Sequence, residues 1–323
     1  MMASDLPSLS QTGAPRDGDR FVNLAGPRPM PSAGEMTGFL LRKAWASMAS
    51  RTGAPPVVAF DPAALRHNPS VTWIGHATFL VRMDGVTFLT DPMFSERASP
   101  LSFAGPQRLV EPGVPLDALP KIDFAVVSHD HYDHLDLPTV AALADRGVPF
   151  FVPLGVGDLV RDAGGVVTEL DWWQSADFAG VRVHCVPAQH FSGRSLTDES
   201  RRLWAGFVVA GPSRRFYHAG DTGYFDGFAE IGRRLGPFDL VAIPIGAYAP
   251  SSIMRFVHMN PEEAMRAAVD ARADIAVGMH YGTFDLTDEP LDEPPRRFHA
   301  EATRRALEGT AAWTMAIGET RDW

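Results

Sequence analysis

The sequence predicts an α+β protein built on two mixed β-sheets that pack face to face between flanking helices. Three observations carry that expectation. Short apolar runs rich in Val, Ile and Phe recur from Val71 onwards, separated by single helix-length stretches. Several of these runs are apolar throughout, so they need cover on both faces, which two sheets sandwiched between helices would supply. The chain has 323 residues, enough to bury a substantial core as one large domain or two ordinary ones.

Residues 1–34 are rich in Pro, Gly, Ser and Asp and read as an irregular arm. Glu35 to Ser50 reads as a helix with Met36, Phe39, Leu40, Ala44 and Met48 on one stripe and Arg42 and Lys43 off it. That stripe docks on the main body or, on a sharper reading, meets a membrane surface or an acyl chain of a substrate. Ala54 to Pro56 is a Pro-rich linker, dividing the chain into an arm and helix, 1–56, and a body, 57–323.

The body opens with strands in VTWIG, TFLVRM and VTFLTD; Asp84-Gly85 between the last two is a strong hairpin signal. Phe94 to Pro120 has no sustained period, and loops of that length commonly drape over a site. Ile122 to Val127 reads as a buried strand, and Leu137 to Asp145 as a helix stopped by Gly147. PFFVP pairs with a helix in GVGDLVRDAG, and strands follow in VVTEL, VRVHCVPA, LWAGFVVA and RRFYHAG. FDLVAIPI, a helix from Pro261 to Ala271, ADIAVGMH, a helix from Arg296 to Leu307 and a strand near Trp313 to Ile317 complete the chain. No internal repeat is detectable.

Composition narrows the function. Apolar residues make up 45% and charged residues 21%, ordinary for a globular enzyme. A formal net charge of −10 argues against a surface that tracks a phosphate backbone, so nucleic acid is not expected as a partner. Cys185 is the sole cysteine, which rules out an intrachain disulfide. No apolar run approaches the ~18–20 residues of a membrane span, and the N-terminus lacks the basic-then-apolar order of a secretory signal. A cytoplasmic protein is expected, with any membrane contact peripheral and a homo-oligomer left open.

The chemistry concentrates where Ile122–Val127 ends. His129, His131, Asp133 and His134 arrive within six positions, and three imidazoles with a carboxylate do not pack together without a cation. These donors suit zinc, less often manganese or iron. His190, Asp221 and His280 also end apolar runs, where side chains from separate strands converge. Seven donors are about what two divalent metal ions sharing a bridging carboxylate and hydroxide require.

His129-x-His131-x-Asp133-His134, with His190, Asp221 and His280, resembles the HxHxDH signature of the metallo-β-lactamase superfamily. The flanking text is narrower: Trp73-Ile74-Gly75-His76, Leu89-Thr90-Asp91-Pro92, Leu170-Asp171-Trp172-Trp173, Gln189-His190-Phe191-Ser192, Gly220-Asp221-Thr222-Gly223 and His280-Tyr281-Gly282-Thr283. Together these stretches resemble the N-acyl-phosphatidylethanolamine phospholipase D branch, itself similar to ascorbate-6-phosphate lactonases. Tyr281 departs from the tryptophan common there.

The resemblance implies an αββα sandwich in which His129, His131 and His190 hold one metal, Asp133, His134 and His280 the second, and Asp221 bridges them. It implies a hydrolase whose metal-bridging hydroxide attacks a phosphodiester or phospholipid-like substrate, with Asp221 or Asp133 moving the proton. A lactonase or other acyl-ester hydrolase on the same site is the alternative, and a metal-bound scaffold without turnover a third.

Other residues divide more evenly. Arg194 pairs with a substrate phosphate or is a solvated loop residue; His258 reaches the site mouth, to bind phosphate or donate a proton, or faces solvent. His76 and Asp91 are expected to orient ligands through hydrogen bonds, and His218 to be structural or to support the site. His67, His184 and His299 read as ordinary histidines and Cys185 as a buried hydrophobe. Trp172 and Trp173 read as opposite faces of a strand, and Gly155-x-Gly157 fails to complete a dinucleotide fingerprint.

Overall fold

The computed structural model describes residues 13–46, 53–195, 197–305 and 309–323. The arm carries a two-rung antiparallel hairpin, β1 (Arg16–Asp17) and β2 (Arg20–Phe21), where the sequence suggested irregular chain. Helix α1 spans Ala33–Ala46, two residues earlier than its composition predicts. Ser32 and Glu35 explain the start: Glu35 Oε2 accepts from Ser32 N at 2.9 Å, and Glu35 N donates to Ser32 Oγ at 3.3 Å, a reciprocal capping box. The predicted stripe breaks up, because Phe39 is buried but Leu40 and Leu41 are 58% and 67% exposed; Met48 lies outside the described residues. Lys43 and Arg42 fasten the helix to Asp285 and Asp288 at 2.5 and 2.8 Å.

The body begins with an antiparallel meander, β3 (Ser70–Gly75), β4 (Thr78–Met83) and β5 (Val86–Thr90). Asp84 and Gly85 have φ of +45° and +84°, as a two-residue hairpin turn of the mirror-image type needs. Parallel strands follow: β6 (Phe124–Val126), then α2 (Leu137–Ala144), β7 (Phe150–Pro153), α3 (Gly157–Asp162) and β8 (Val167–Leu170). Trp172 and Trp173 lie in the turn after β8, not on a strand; Trp172 is core, while Trp173 is capped by Arg234 at 4.0 Å.

The second half repeats this order in new residues. β9 (Ser175–Phe178), β10 (Val181–Val186), β11 (Gly206–Ala210) and β12 (Arg215–His218) are antiparallel neighbours. After α4 (Gly227–Leu235), β13 (Phe238–Pro244) joins β12 in parallel. The short α5 (Ser251–Met254) and α6 (Pro261–Asp270) lead to β14 (Ala273–Met279). Then α7 (Glu293–Arg304), β15 (Ala311–Trp313) and β16 (Thr320–Asp322) close the chain. β15 extends the second sheet, whereas β16 crosses back to pair with β3 of the first. The single closing strand expected near Trp313 to Ile317 is thus two, on opposite sheets. Each seven-stranded sheet is antiparallel at one side and parallel at the other, a structural repeat with no counterpart in the letters.

Strand alternation assigns the two faces of the first sheet. Phe79, Val81, Phe88, Phe124 and Val126 point into the core between the sheets, while Leu80, Leu89, Ala125 and Val127 point outward to Val140, Leu143 and Val160 of α2 and α3. Phe88 and Phe124 stack at 4.9 Å in that core, and full burial of one such side chain contributes about 1.5–3 kcal/mol. On the far side α6 packs against β13 and β14. Two sheets between helices are therefore observed, as the apolar runs required. Among the described residues no helix is long and apolar enough to cross a membrane.

Candidate metal centre

Strands from both sheets run out at one edge of the sandwich, and the polar residues cluster there. His76 follows β3, Asp91 follows β5, and Ser128 to His134 follow β6; from the second sheet come His190 after β10, Asp221 after β12 and His280 after β14. The backbone is strained here: His76, Asp91 and His280 have φ of +53°, +35° and +63°. Such conformations cost about 1–3 kcal/mol each and are held by neighbours. His76 N donates to Thr283 Oγ1 at 2.7 Å, His280 N to His76 O at 3.1 Å, and Asp91 N to Val126 O at 2.9 Å. Gly220, at φ +62°, sets up Asp221; a Cβ there would lie 2.7 Å from Ala205 O and 2.8 Å from Ser128 Cβ.

All seven residues expected at the centre meet. His129 Nε2 lies 2.9 Å and His190 Nε2 3.2 Å from His131 Nδ1, so three imidazole nitrogens converge. Beside them Asp133 Oδ2 lies 3.4 Å from His134 Nε2 and 3.3 Å from His280 Nε2. Asp221 Oδ2 sits between the groups, 3.1 Å from both His134 and His280 Nε2, 3.8 Å from His190 and 3.9 Å from His129.

Protonation divides the site. Burial holds His129, His131 and His190 below the ordinary imidazole range, leaving neutral rings whose nitrogens face one another. Burial also opposes charge on His134 and His280, but Asp221, foremost among the carboxylates facing them, overcomes it. His134 is raised well above its ordinary range and His280 to about 9. Burial would push Asp133 and Asp221 up, yet His134 and its neighbours hold both well below the usual carboxylate range. Burying an ion costs several kcal/mol unless it is paired. Asp221 Oδ1, buried and without a hydrogen-bond partner, and three mutually facing neutral nitrogens are a donor set that cations complete.

Hydrogen bonds aim these donors. Asp91 accepts from Ser128 N, Ser128 Oγ, His134 Nδ1 and His218 Nε2 at 2.6–2.8 Å, presenting His134 Nε2 to the centre and giving His218 its supporting role. His190 Nδ1 lies 3.0 Å from Val257 O, which leaves Nε2 for the centre. His76 Nε2 lies 2.9 Å from Asp133 Oδ2. Asn23, in the arm, brackets His190: its Nδ2 donates to His190 O at 2.8 Å and its Oδ1 accepts from His190 N at 3.0 Å.

Residues 87–281 match the family of beta-lactamase superfamily domains. The N-acyl-phosphatidylethanolamine-hydrolyzing phospholipase D 1 of Caenorhabditis elegans is 44% identical over 77% of this chain and 74% of its own length. The chain belongs to the metallo-β-lactamase superfamily. A metal-dependent hydrolase of Methanopyrus kandleri is 30% identical over 74% of this chain and 93% of its own. A metallo hydrolase from Ignicoccus hospitalis shares the fold, with a TM-score of 0.61 at 23% identity over 79% of this chain and 98% of that one. Fold, family and buried His/Asp clusters together make this superfamily member a metal-dependent hydrolase.

Above the centre of this metallo-β-lactamase superfamily chain lies a cleft of about 250 Å³, floored by His131, Asp133, His190, Asp221 and His280. Its walls are largely apolar: Met36 and Phe39 of α1, Phe191, Met254, Val257 and Leu286. His258 is buried rather than solvent-facing, its Nε2 4.0 Å from Asp221 Oδ2, and burial lowers it to about 4. Arg194 does not face the cleft. Its Nη1 donates to Asp130 O and Leu135 O at 2.7 and 2.9 Å, and its guanidinium lies over Tyr132, so it braces the His129–His134 loop. Asp130, within the signature, ties that loop to the next through Gly193 N at 2.8 Å and Arg202 at 3.0 Å. Nothing in the letters marks Asn23 or Asp130, because their partners are backbone groups and distant side chains.

Of the residues set aside, His67 pairs with Asp322 at 3.0 Å on the surface, and His299 lies 2.8 Å from Thr314 Oγ1. Cys185 is buried in the core, and Gly155 N and Gly157 N donate to Glu169, with no phosphate-binding loop.

Proposed function

We propose that this chain hydrolyses a phosphodiester of phospholipid type with two divalent metal ions, zinc being the best match to the donors. His129, His131 and His190 would hold one, Asp133, His134 and His280 the other, with Asp221 shared between them. Bound there, such ions lower the pKa of water towards neutrality and stabilise charge developing on a phosphoryl oxygen. Asp221, ionised and with Oδ1 unpartnered, accepts the proton of the attacking water, Asp133 being the other carboxylate within reach. His258, kept neutral by burial and lining the cleft with Nε2 4.0 Å from Asp221 Oδ2, is placed to take that proton from Asp221 and hand it on to the leaving oxygen.

The single observation that carries the substrate class is the apolar cleft above the centre, walled by Met36 and Phe39 of α1. A small sugar phosphate gains nothing from such walls, whereas an acyl chain buries against them at about 25 cal/mol per Å². The likeness to the worm enzyme, whose name specifies an N-acylated phosphatidylethanolamine, supports the same class. The test is turnover of an N-acyl-phosphatidylethanolamine, bis(p-nitrophenyl) phosphate and a lactone by zinc-loaded protein, with His131→Ala and Asp221→Asn as controls. Cleavage of the phospholipid above both controls is expected; lactone opening with no phosphodiester cleavage would overturn the proposal in favour of an acyl-ester hydrolase.

A further inference from the structure

The cleft carries one cationic side chain that the hydrolytic centre does not use. Among its described lining residues Arg28 is the only lysine or arginine, and it comes from the arm, outside the residues matched to the family. Its guanidinium lies 3.9 Å from the centroid of the Phe191 ring, and that ring packs at 4.6 Å on His131 and 4.9 Å on His190. One aromatic layer thus separates Arg28 from two residues of the centre, and stacking fixes the plane of its fork. Nη2 pairs with Glu199 Oε1 at 2.9 Å and approaches Met30 Sδ at 3.6 Å, whereas Nε is buried with no hydrogen-bond partner. A fork held rigid yet only half satisfied, over an otherwise apolar wall, is built for an acceptor that the protein does not supply.

Building on the phosphodiester reading above, we propose that Arg28 is a specificity-determining residue that binds the anionic phosphate of the substrate and so selects charged phosphate diesters over uncharged esters of similar shape. The two oxygens not engaged in ester bonds carry the single negative charge. Donation from the free N–H groups of Arg28 to one of them leaves the other for the centre. An uncharged ester lacks that charge-assisted bond and gains only the contact of the apolar walls.

A matched pair of probes tests this without turnover. Dihexyl phosphate and its uncharged methyl ester differ in charge, and calorimetry measures their binding to zinc-loaded wild type, Arg28→Gln and Arg28→Lys. Arg28→Gln is expected to weaken dihexyl phosphate binding on the order of tenfold to a hundredfold, as loss of a charged hydrogen bond does, and to leave the methyl ester unchanged. Arg28→Lys should recover part of the loss, keeping the charge without the fork. Equal weakening of both probes would mean a loosened arm and would overturn the inference, as would no weakening, or no binding of dihexyl phosphate by the wild type. Binding that depends on Arg28 in a protein that cleaves no phosphodiester would sink the proposed reaction while leaving the anion site standing.

Discussion

The floor and the walls of the cleft are built by different means. The floor is made by strand ends from both sheets, with each side chain aimed by a hydrogen bond: Asp91 behind His134, Val257 behind His190, His76 behind Asp133. The walls come from the arm, α1 and the segments around Met254 and Leu286, attached through ion pairs such as Arg42–Asp288 and Lys43–Asp285. A centre that handles charge needs donors fixed to a fraction of an ångström, which a packed sandwich provides. A surface that chooses among substrates needs only the right polarity and shape, which loops supply and can change without disturbing the sheets. Chemistry should therefore fail with floor substitutions, and selectivity shift with wall substitutions.

The largest effect is expected from Asp221→Ala. It removes the carboxylate placed between both groups of donors, and kcat should fall on the order of a thousandfold or more, since metal ions contribute several kcal/mol to the transition state. Comparable turnover by this variant would end the division between floor and walls.

Within the floor, pH separates the two groups. His280, raised to about 9, and His134, also raised, hold protons at neutral pH that an incoming cation must displace. His129, His131 and His190, all lowered, carry none to lose. Zinc affinity at the Asp133–His134–His280 position should therefore rise between about pH 7 and 9, by up to about tenfold per unit for each proton released. Affinity at the three-histidine position should stay flat over that window. Competition titrations at several pH values check both halves; a flat profile at both positions would contradict the charge assignment.

Asn23→Ala probes the seam between the two regions. It leaves the buried His190 N–H and C=O without their side-chain partner, which costs about 1–3 kcal/mol. Urea unfolding should show that loss, together with weakened metal binding, if the arm is part of the site and not just a cover. The smallest effect is expected from Phe39→Ala in the wall. KM for a long-chain substrate should rise a few-fold, from about 1 kcal/mol of lost apolar contact, with bis(p-nitrophenyl) phosphate turnover unchanged. Equal effects on both substrates would assign Phe39 to the fold and not to selectivity.

The same division explains what could be read from the letters. The floor was legible because His129, His131, Asp133 and His134 interrupt an apolar run, and His190, Asp221 and His280 each end one. Its supports were legible only where a titratable side chain announced itself, as at Asp91 and His76; Asn23 acts on backbone and left no trace. The role of Arg194 stayed open between two readings because position in the chain says it follows His190, but not that the carbonyls of Asp130 and Leu135 capture it. The wall depended on orientation: Leu40 belongs to an apolar stripe by spacing, yet α1 buries only one edge of that stripe, through Phe39 and Met36. Helix α4 was missed because Gly227 and Gly232 lower its propensity. Packing overrides it, since a Cβ at Gly232 would lie 2.6 Å from Ala271 O.

Metal stoichiometry tests the account at its root. Elemental analysis of purified protein after dialysis should give two divalent ions per chain for the wild type, about one for His131→Ala, where the Asp133–His134–His280 position survives, and fewer than one for Asp221→Ala. Two ions in all three proteins, or full activity in metal-stripped wild type, would contradict the claim that these seven side chains form one binuclear centre.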